Sequence, residues 1–252
     1  MKLHVLGSGT VCPSLRRAAS GYLLEVGEEL LWFDMGAGTL RRFLEGGHAL
    51  ERVSRIFLTH THPDHTSDLV PFCFALNYAP GWSGRNLTLY GPNGLWHFLT
   101  HLGAAWSWVE PKKWERHVHE IDEHETIDLG SCKVSAWSVA HGELNALSFR
   151  VESEGRVFCY SGDSGVCDNL VKAAREADLF LCECSIPAAY PAMPGVHLTS
   201  AEVGQVATRA GARRVVVTHL YPQADEVDIL AEVRGHYAGL LELAEDGSSF
   251  LV

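Results

Sequence analysis

Four side chains able to ligate a metal stand together at His60-Thr-His62-Pro-Asp64-His65. The run just ahead of them, Arg55-Ile-Phe-Leu-Thr59, is short and apolar, the pattern of a buried strand. Three imidazoles and a carboxylate delivered by one strand end, with Pro63 turning the chain, are forced close together. An ion that takes nitrogen and oxygen ligands is the economical partner for such a group. Alternation divides the set: His60 and His62 serve one ion, while Asp64 and His65 point to a neighbouring one. A polar, solvent-exposed turn is the bland alternative, and the apolar strand that leads into it argues against that reading.

Strand-like runs must carry such a site, and they recur along the whole chain. Residues 3–6, 21–26, 30–34, 55–59 and 87–90 are apolar or alternating runs closed by Gly, Pro or Asp in the first half. Residues 133–139, 146–152, 157–161, 179–183, 215–218 and 240–243 repeat the habit in the second. Thr199-Ser-Ala-Glu202 is a capping box and Gly211 a helix stop, which predicts a helix from Ser200 to about Ala210. Residues 169–177 and 227–237 also carry helical periodicity. No linker or low-complexity tract divides the chain, so residues 1–252 are expected to form one domain.

Bulk properties narrow the function classes. With 252 residues, 46% of them hydrophobic, the chain can bury a sizeable core. The apolar stretch 1–6 is followed at once by Gly-Ser-Gly, so no secretory leader is expected, and no apolar run reaches the ~18 residues a membrane helix needs. Seven scattered cysteines, an odd number, read as reduced thiols in a cytoplasmic protein. A formal charge of −11 disfavours extended nucleic acid, whose binding relies on Lys and Arg.

With the His-x-His-x-Asp-His motif complete after its strand, the sequence resembles the metallo-β-lactamase superfamily. That resemblance implies an α+β fold, a four-layer αβ/βα sandwich, and two metal ions held by later residues at strand ends. The chain offers them: His141 after residues 133–139, Asp163 in Ser-Gly-Asp-Ser164 and His219 after residues 215–218. By carry-over, His60, His62 and His141 hold the first ion, Asp64, His65 and His219 the second, and Asp163 bridges them. Singly, His141 is a turn histidine, His219 a strand-end histidine and Asp163 a turn-former beside Gly162.

The segments Leu6-Gly-Ser-Gly-Thr10, Phe33-Asp34-Met-Gly36 and His197-Leu-Thr199 are similar to those of the ribonuclease Z and related phosphodiesterase group. In that group the residues matching Glu183 and His197 lie beside the metals and handle the scissile phosphate and leaving group. His197 also precedes a capped helix, whose amides favour an anion. Alone, His197 reads as an exposed residue before a helix and Glu183 as a strand-end ion pair. The group's long tRNA-gripping arm, expected between His141 and Asp163, has no counterpart, because residues 142–162 suffice only for a hairpin. That puts tRNA processing in doubt and leaves a small or nucleotide-like phosphodiester as the expected substrate.

The resemblance implies two divalent ions, with zinc favoured by imidazole and manganese or iron compatible with the carboxylates. A metal-bridging hydroxide would attack the phosphodiester, Asp64 would orient it, and His197, supported by Glu183, would donate to the leaving oxygen. Two rival readings share the scaffold: a hydrolase of a carboxylic ester, lactam or thioester, and a non-hydrolytic metal-binding carrier. Five tryptophans between Trp82 and Trp114 are expected either to stack on a base or cover the site, or to fill a helix interface or a homodimer contact.

Overall fold

A computed structural model describes residues 1–252. Its strands are β1 (Lys2–Gly7), β2 (Gly21–Val26), β3 (Glu29–Phe33), β4 (Arg55–Phe57), β5 (Asn86–Gly91), β6 (Glu115–Glu120), β7 (Thr126–Asp128), β8 (Lys133–Val139), β9 (Ala146–Ser153), β10 (Arg156–Tyr160), β11 (Leu179–Glu183), β12 (Arg214–Thr218), β13 (Leu240–Leu243) and β14 (Ser249–Leu251). They form two seven-stranded sheets, ordered β14-β1-β2-β3-β4-β5-β6 and β13-β12-β11-β10-β9-β8-β7.

In each sheet, antiparallel hairpins give way to a parallel set: β3 to β6 in the first, β10 to β13 in the second. Parallel neighbours need crossovers. Helices α1 (Thr39–Glu45), α2 (Pro63–Thr66), α3 (Leu69–Leu76) and α4 (Leu95–Ala105) provide them in the first half. Helices α5 (Asp168–Ala173), α6 (Ser200–Ala210) and α7 (Ile229–Arg234) do so in the second.

The strands read as continuous apolar runs because both faces are buried. In β3, Leu31 and Phe33 face the space between the sheets, where they meet Phe149, Phe158 and Leu181 of the other sheet. Leu30 and Trp32, pointing the opposite way, pack with Phe43, Phe72 and Leu99 under α1, α3 and α4. The second sheet repeats this. Leu179, Leu181 and Val216 face inward, while Phe180, Cys182, Val215 and Val217 pack on Leu170, Val203, Val206 and Val233 beneath α5, α6 and α7. Helix, sheet, sheet, helix is the αβ/βα sandwich expected, and Cys182 and Cys184 lie in its core, as their alternation with Glu183 implies.

Most strand bounds agree with the sequence reading to within two residues, and α6 carries the expected capping box and a left-handed Gly211 at φ 65°. The helix expected over 169–177 ends at Ala173, where the turn leads into Glu176 at φ 52°. The one expected over 227–237 starts later, because Asp228 caps it by accepting from the Ala231 N–H at 3.0 Å. Unforeseen were α1, α2, α3, α4, β6, β7 and β14. Strand β6, Glu-Arg-His-Val-His-Glu, is a half-exposed sheet edge with no apolar face to betray it. Strand β14 pairs with β1, closing the first sheet with residues from the far end of the chain.

Candidate metal centre

The seven residues proposed as ligands from sequence converge on one edge of the sandwich, where the carboxyl ends of β4, β8, β10 and β12 meet. Crevices at the carboxyl ends of parallel strands are where such sheets bind ligands. His60 Nε2 lies 3.0 Å from His62 Nδ1, and His141 Nε2 lies 3.2 Å from the same atom. Asp163 Oδ2 stands 3.8 Å from His60 Nε2 and 3.9 Å from His141 Nε2. In a second group, His65 Nε2 is 3.4 Å from His219 Nε2, and Asp64 Oδ2 is 3.9 Å and 3.5 Å from these two nitrogens. Asp163 reaches this group too, with Oδ1 3.3 Å from His65 Nε2 and Oδ2 3.3 Å from His219 Nε2.

The outer ring nitrogens explain why the inner ones face each other. His65 Nδ1 donates to Asp34 Oδ2 at 2.8 Å, and His141 Nδ1 to the Val196 carbonyl at 2.8 Å. The Thr59 hydroxyl donates to Asp34 at 2.8 Å, so it accepts from His60 Nδ1 at 3.0 Å. Likewise the Ser185 hydroxyl donates to Glu183 at 2.6 Å and accepts from His219 Nδ1 at 2.8 Å. Four rings therefore carry their proton on Nδ1 and turn a bare Nε2 lone pair inward.

Converging lone pairs repel unless a cation sits among them. Their spacing suits one: ligands at 2.0–2.1 Å from a tetrahedral zinc stand roughly 3.3 Å apart. Asp163 Oδ1, buried and without a hydrogen bond, is the acceptor left over. The donor set of five imidazoles and two carboxylates thus fits divalent metal. Each oriented ring has the outer-shell partner that metal-ligating histidines ordinarily show.

Electrostatics agree. Burial and the neighbouring His65 push the His60 pKa well below its ordinary value, leaving it the neutral ligand form. Burial also lowers that of His65, but Asp163 and Asp34 outweigh it and leave the ring well above the ordinary value. The carboxylates thus make a place for positive charge at or beside this ring. Burial raises the Asp163 pKa, yet His219 and His65 hold it well below the usual carboxylate range.

The other two predicted residues also reach the site. His197 lines a cavity of about 220 Å³ together with His62, Asp64, Asp163, His219 and Tyr221. Its Nδ1 bonds Glu183 Oε1 at 3.0 Å. Burial lowers the His197 pKa, and the bond to Glu183 outweighs it, so the net shift is upward. Glu183 is wholly buried and also accepts from the Ser164 and Ser185 amides at 2.8 and 3.2 Å. It positions His197 rather than lining the cavity.

Asp34 and Ser185 were not singled out from sequence. Asp34 follows β3 as Asp163 follows β10, and that strand-end placement, with its position in the Phe33-Asp34-Met-Gly36 segment, was the available signal. Asp34 and His219 both sit at φ 55°, a left-handed conformation uncommon without glycine and concentrated at functional sites. Gly36 allows the Asp34 turn to press against the motif loop, because a Cβ there would stand 2.0 Å from the Asp64 carbonyl oxygen.

The tryptophans divide. Trp82 and Trp114 are core residues beneath the first sheet, whereas Trp96, Trp106 and Trp108 are exposed. None lines the metal cavity. Residues 142–162 hold little beyond the β9–β10 hairpin, closed by Glu154 and Gly155 at φ 51° and 72°, as a two-residue primed turn requires.

Comparison with known proteins agrees with this architecture. The family model for the beta-lactamase superfamily domain matches residues 32–220, and the chain belongs to that family. An uncharacterized protein of Mycobacterium tuberculosis is 32% identical over 245 residues, 95% of this chain and 88% of that protein. A ribonuclease Z of Myxococcus xanthus is 28% identical over 98% of this chain and 96% of its own length. Among solved structures, the metallo-beta-lactamase fold protein YhfI of Bacillus subtilis superimposes with a TM-score of 0.87 at 24% identity, covering 99% of this chain and 98% of that one. The short form of human tRNase Z does so at 0.80 and 24%, covering 100% and 99%.

Proposed function

We propose that the chain is a binuclear, metal-dependent phosphodiesterase acting on a small or nucleotide-like substrate, with zinc as the favoured metal. Its standing as a metal-dependent hydrolase follows from family membership and from the ribonuclease Z relatives. The finer reading is carried by one observation: Asp163 stands within 4 Å of ligand nitrogens in both histidine groups, joining two sites through one carboxylate.

His60, His62 and His141 would hold one ion, Asp64, His65 and His219 the other, and Asp163 both. Such a pair supplies a water of lowered pKa and charge that neutralises phosphate oxygens. The chain's own residues do the rest. Asp64, 8% exposed on the cavity wall, is placed to accept from and orient an attacking water. Burial disfavours the charged His197 ring, but the Glu183 carboxylate on Nδ1 outweighs it and favours the doubly protonated form, whose Nε2–H would donate to a leaving oxygen. The plain β9–β10 hairpin supports a small substrate over tRNA. Seven free thiols support cytoplasmic residence, and no helix is long and apolar enough to cross a membrane. A homodimer would cover the exposed Trp96, Trp106 and Trp108.

The deciding assay sets bis-p-nitrophenyl phosphate beside a lactam and a thioester with metal-loaded protein. Phosphodiester turnover should dominate. A clear preference for either of the others would displace this reading.

A further inference from the structure

The 220 Å³ cavity at the metal centre is smaller than the roughly 300–1,000 Å³ of a typical small-molecule site. A second cavity of about 570 Å³ adjoins it, with Val11, Pro63 and Asp64 lining both. A phosphodiester held at the centre therefore has one direction of ample room for an ester substituent. The lining there is mixed: Val11, Leu15 and Ala37 are apolar, Ser14 and Ser67 carry hydroxyls, and Arg41 brings a guanidinium. Leu15 and Val11 stand exposed, 106% and 56%, on the loop beside the metal ligands, where isolated apolar groups gain by covering a bound ring. Hydroxyls and arginine suit a sugar and a phosphate rather than a hydrocarbon chain.

Arg41 is the informative residue. Its side chain is 84% exposed and bonds within the chain only through Nε, to Glu45 at 2.8 Å. Its two terminal nitrogens remain free for a bidentate contact with an anion. We infer that this second cavity holds a nucleoside-sized substituent of the substrate, and that Arg41 recognises a further phosphate on it. The preferred substrates are then short phosphodiesters with a terminal phosphate. This rests on the phosphodiesterase reading for its kinetics, though not for its binding.

Three substrates separate the contributions: bis-p-nitrophenyl phosphate, a dinucleotide, and the same dinucleotide with a terminal phosphate. Arg41→Ala should raise KM about tenfold for the phosphorylated dinucleotide and change the other two by less than about twofold. Ala37→Phe, which narrows the cavity, should raise KM for both dinucleotides by more than for bis-p-nitrophenyl phosphate, whose rings are smaller than a nucleoside. Equal effects of Arg41→Ala on all three, or no effect on any, would overturn the assignment. So would an Ala37→Phe variant with unchanged dinucleotide KM. Calorimetric titration of both dinucleotides provides the independent arm. The terminal phosphate should tighten binding to wild type by about tenfold and to Arg41→Ala hardly at all. If that preference appears in a protein that hydrolyses none of the three, the phosphodiesterase reading falls and the cavity assignment stands. If the preference is absent, the cavity assignment falls whatever the turnover.

Discussion

At the scale of single residues, proton placement decides what the centre can bind. Asp34 accepts from His65 Nδ1, the Thr59 hydroxyl and the Tyr160 hydroxyl, each at 2.8 Å. Through Thr59 it also fixes His60, so one buried carboxylate aims a ring in each histidine group. Asp34→Asn keeps the shape and removes the charge that holds these donors. Metal affinity should fall by about 10- to 100-fold, the usual cost of losing an outer-shell partner, while circular dichroism stays unchanged. Chelator competition measures it, and wild-type affinity in the variant would show that the rings are oriented by packing alone. The proposed ligands at 60–65 were legible in the sequence because they crowd one strand end, whereas His141, Asp163 and His219 were picked out by the family resemblance. Asp34 has the same strand-end placement and lies in the Phe33-Asp34-Met-Gly36 segment that resembles the ribonuclease Z group, but that resemblance assigned it no role.

At the scale of elements, α6 and the loop before it hold His197 in place. The Glu202 amide bonds the Thr199 hydroxyl at 3.3 Å, and Glu202 returns the bond to the Thr199 amide at 2.8 Å, fixing the helix start two residues from His197. Thr199→Ala should cost about 1 kcal/mol, seen as a fall of roughly 2–4 °C in Tm. An unchanged melting curve would mean that burial of Val203, Val206 and Ala207, not the cap, sets the helix. This helix was readable to the residue because its signals are local: a capping box and a stop glycine. Helices α1 and α4 begin after Gly38 and Gly94 in left-handed geometry and are capped from distant residues, Asp68 accepting from the Leu40 amide at 2.7 Å and Glu120 from the Trp96 amide at 2.9 Å, so nothing local announced them. Strand β14 depends on a partner almost the whole chain away, and pairing over that distance leaves no mark on three residues.

At the scale of the molecule, the site belongs to neither half alone. His60, His62, Asp64 and His65 come from the loop after β4 of the first sheet. His141, Asp163 and His219 follow strands of the second. Apolar runs such as β3 and β11, buried on both faces, made the strands legible, but the layered sandwich and the strand ends that would meet were supplied by the family resemblance rather than by any periodicity. Asp163, pointed at ligands from both sheets, is where the account is most exposed. Plasma mass spectrometry of metal content in carefully purified protein and its Asp163→Ala variant is therefore the most direct test. Two equivalents of transition metal per chain in the wild type and at most one in the variant is the predicted result. A wild type that neither carries nor takes up stoichiometric metal, or a variant that keeps both equivalents, would contradict the paired centre.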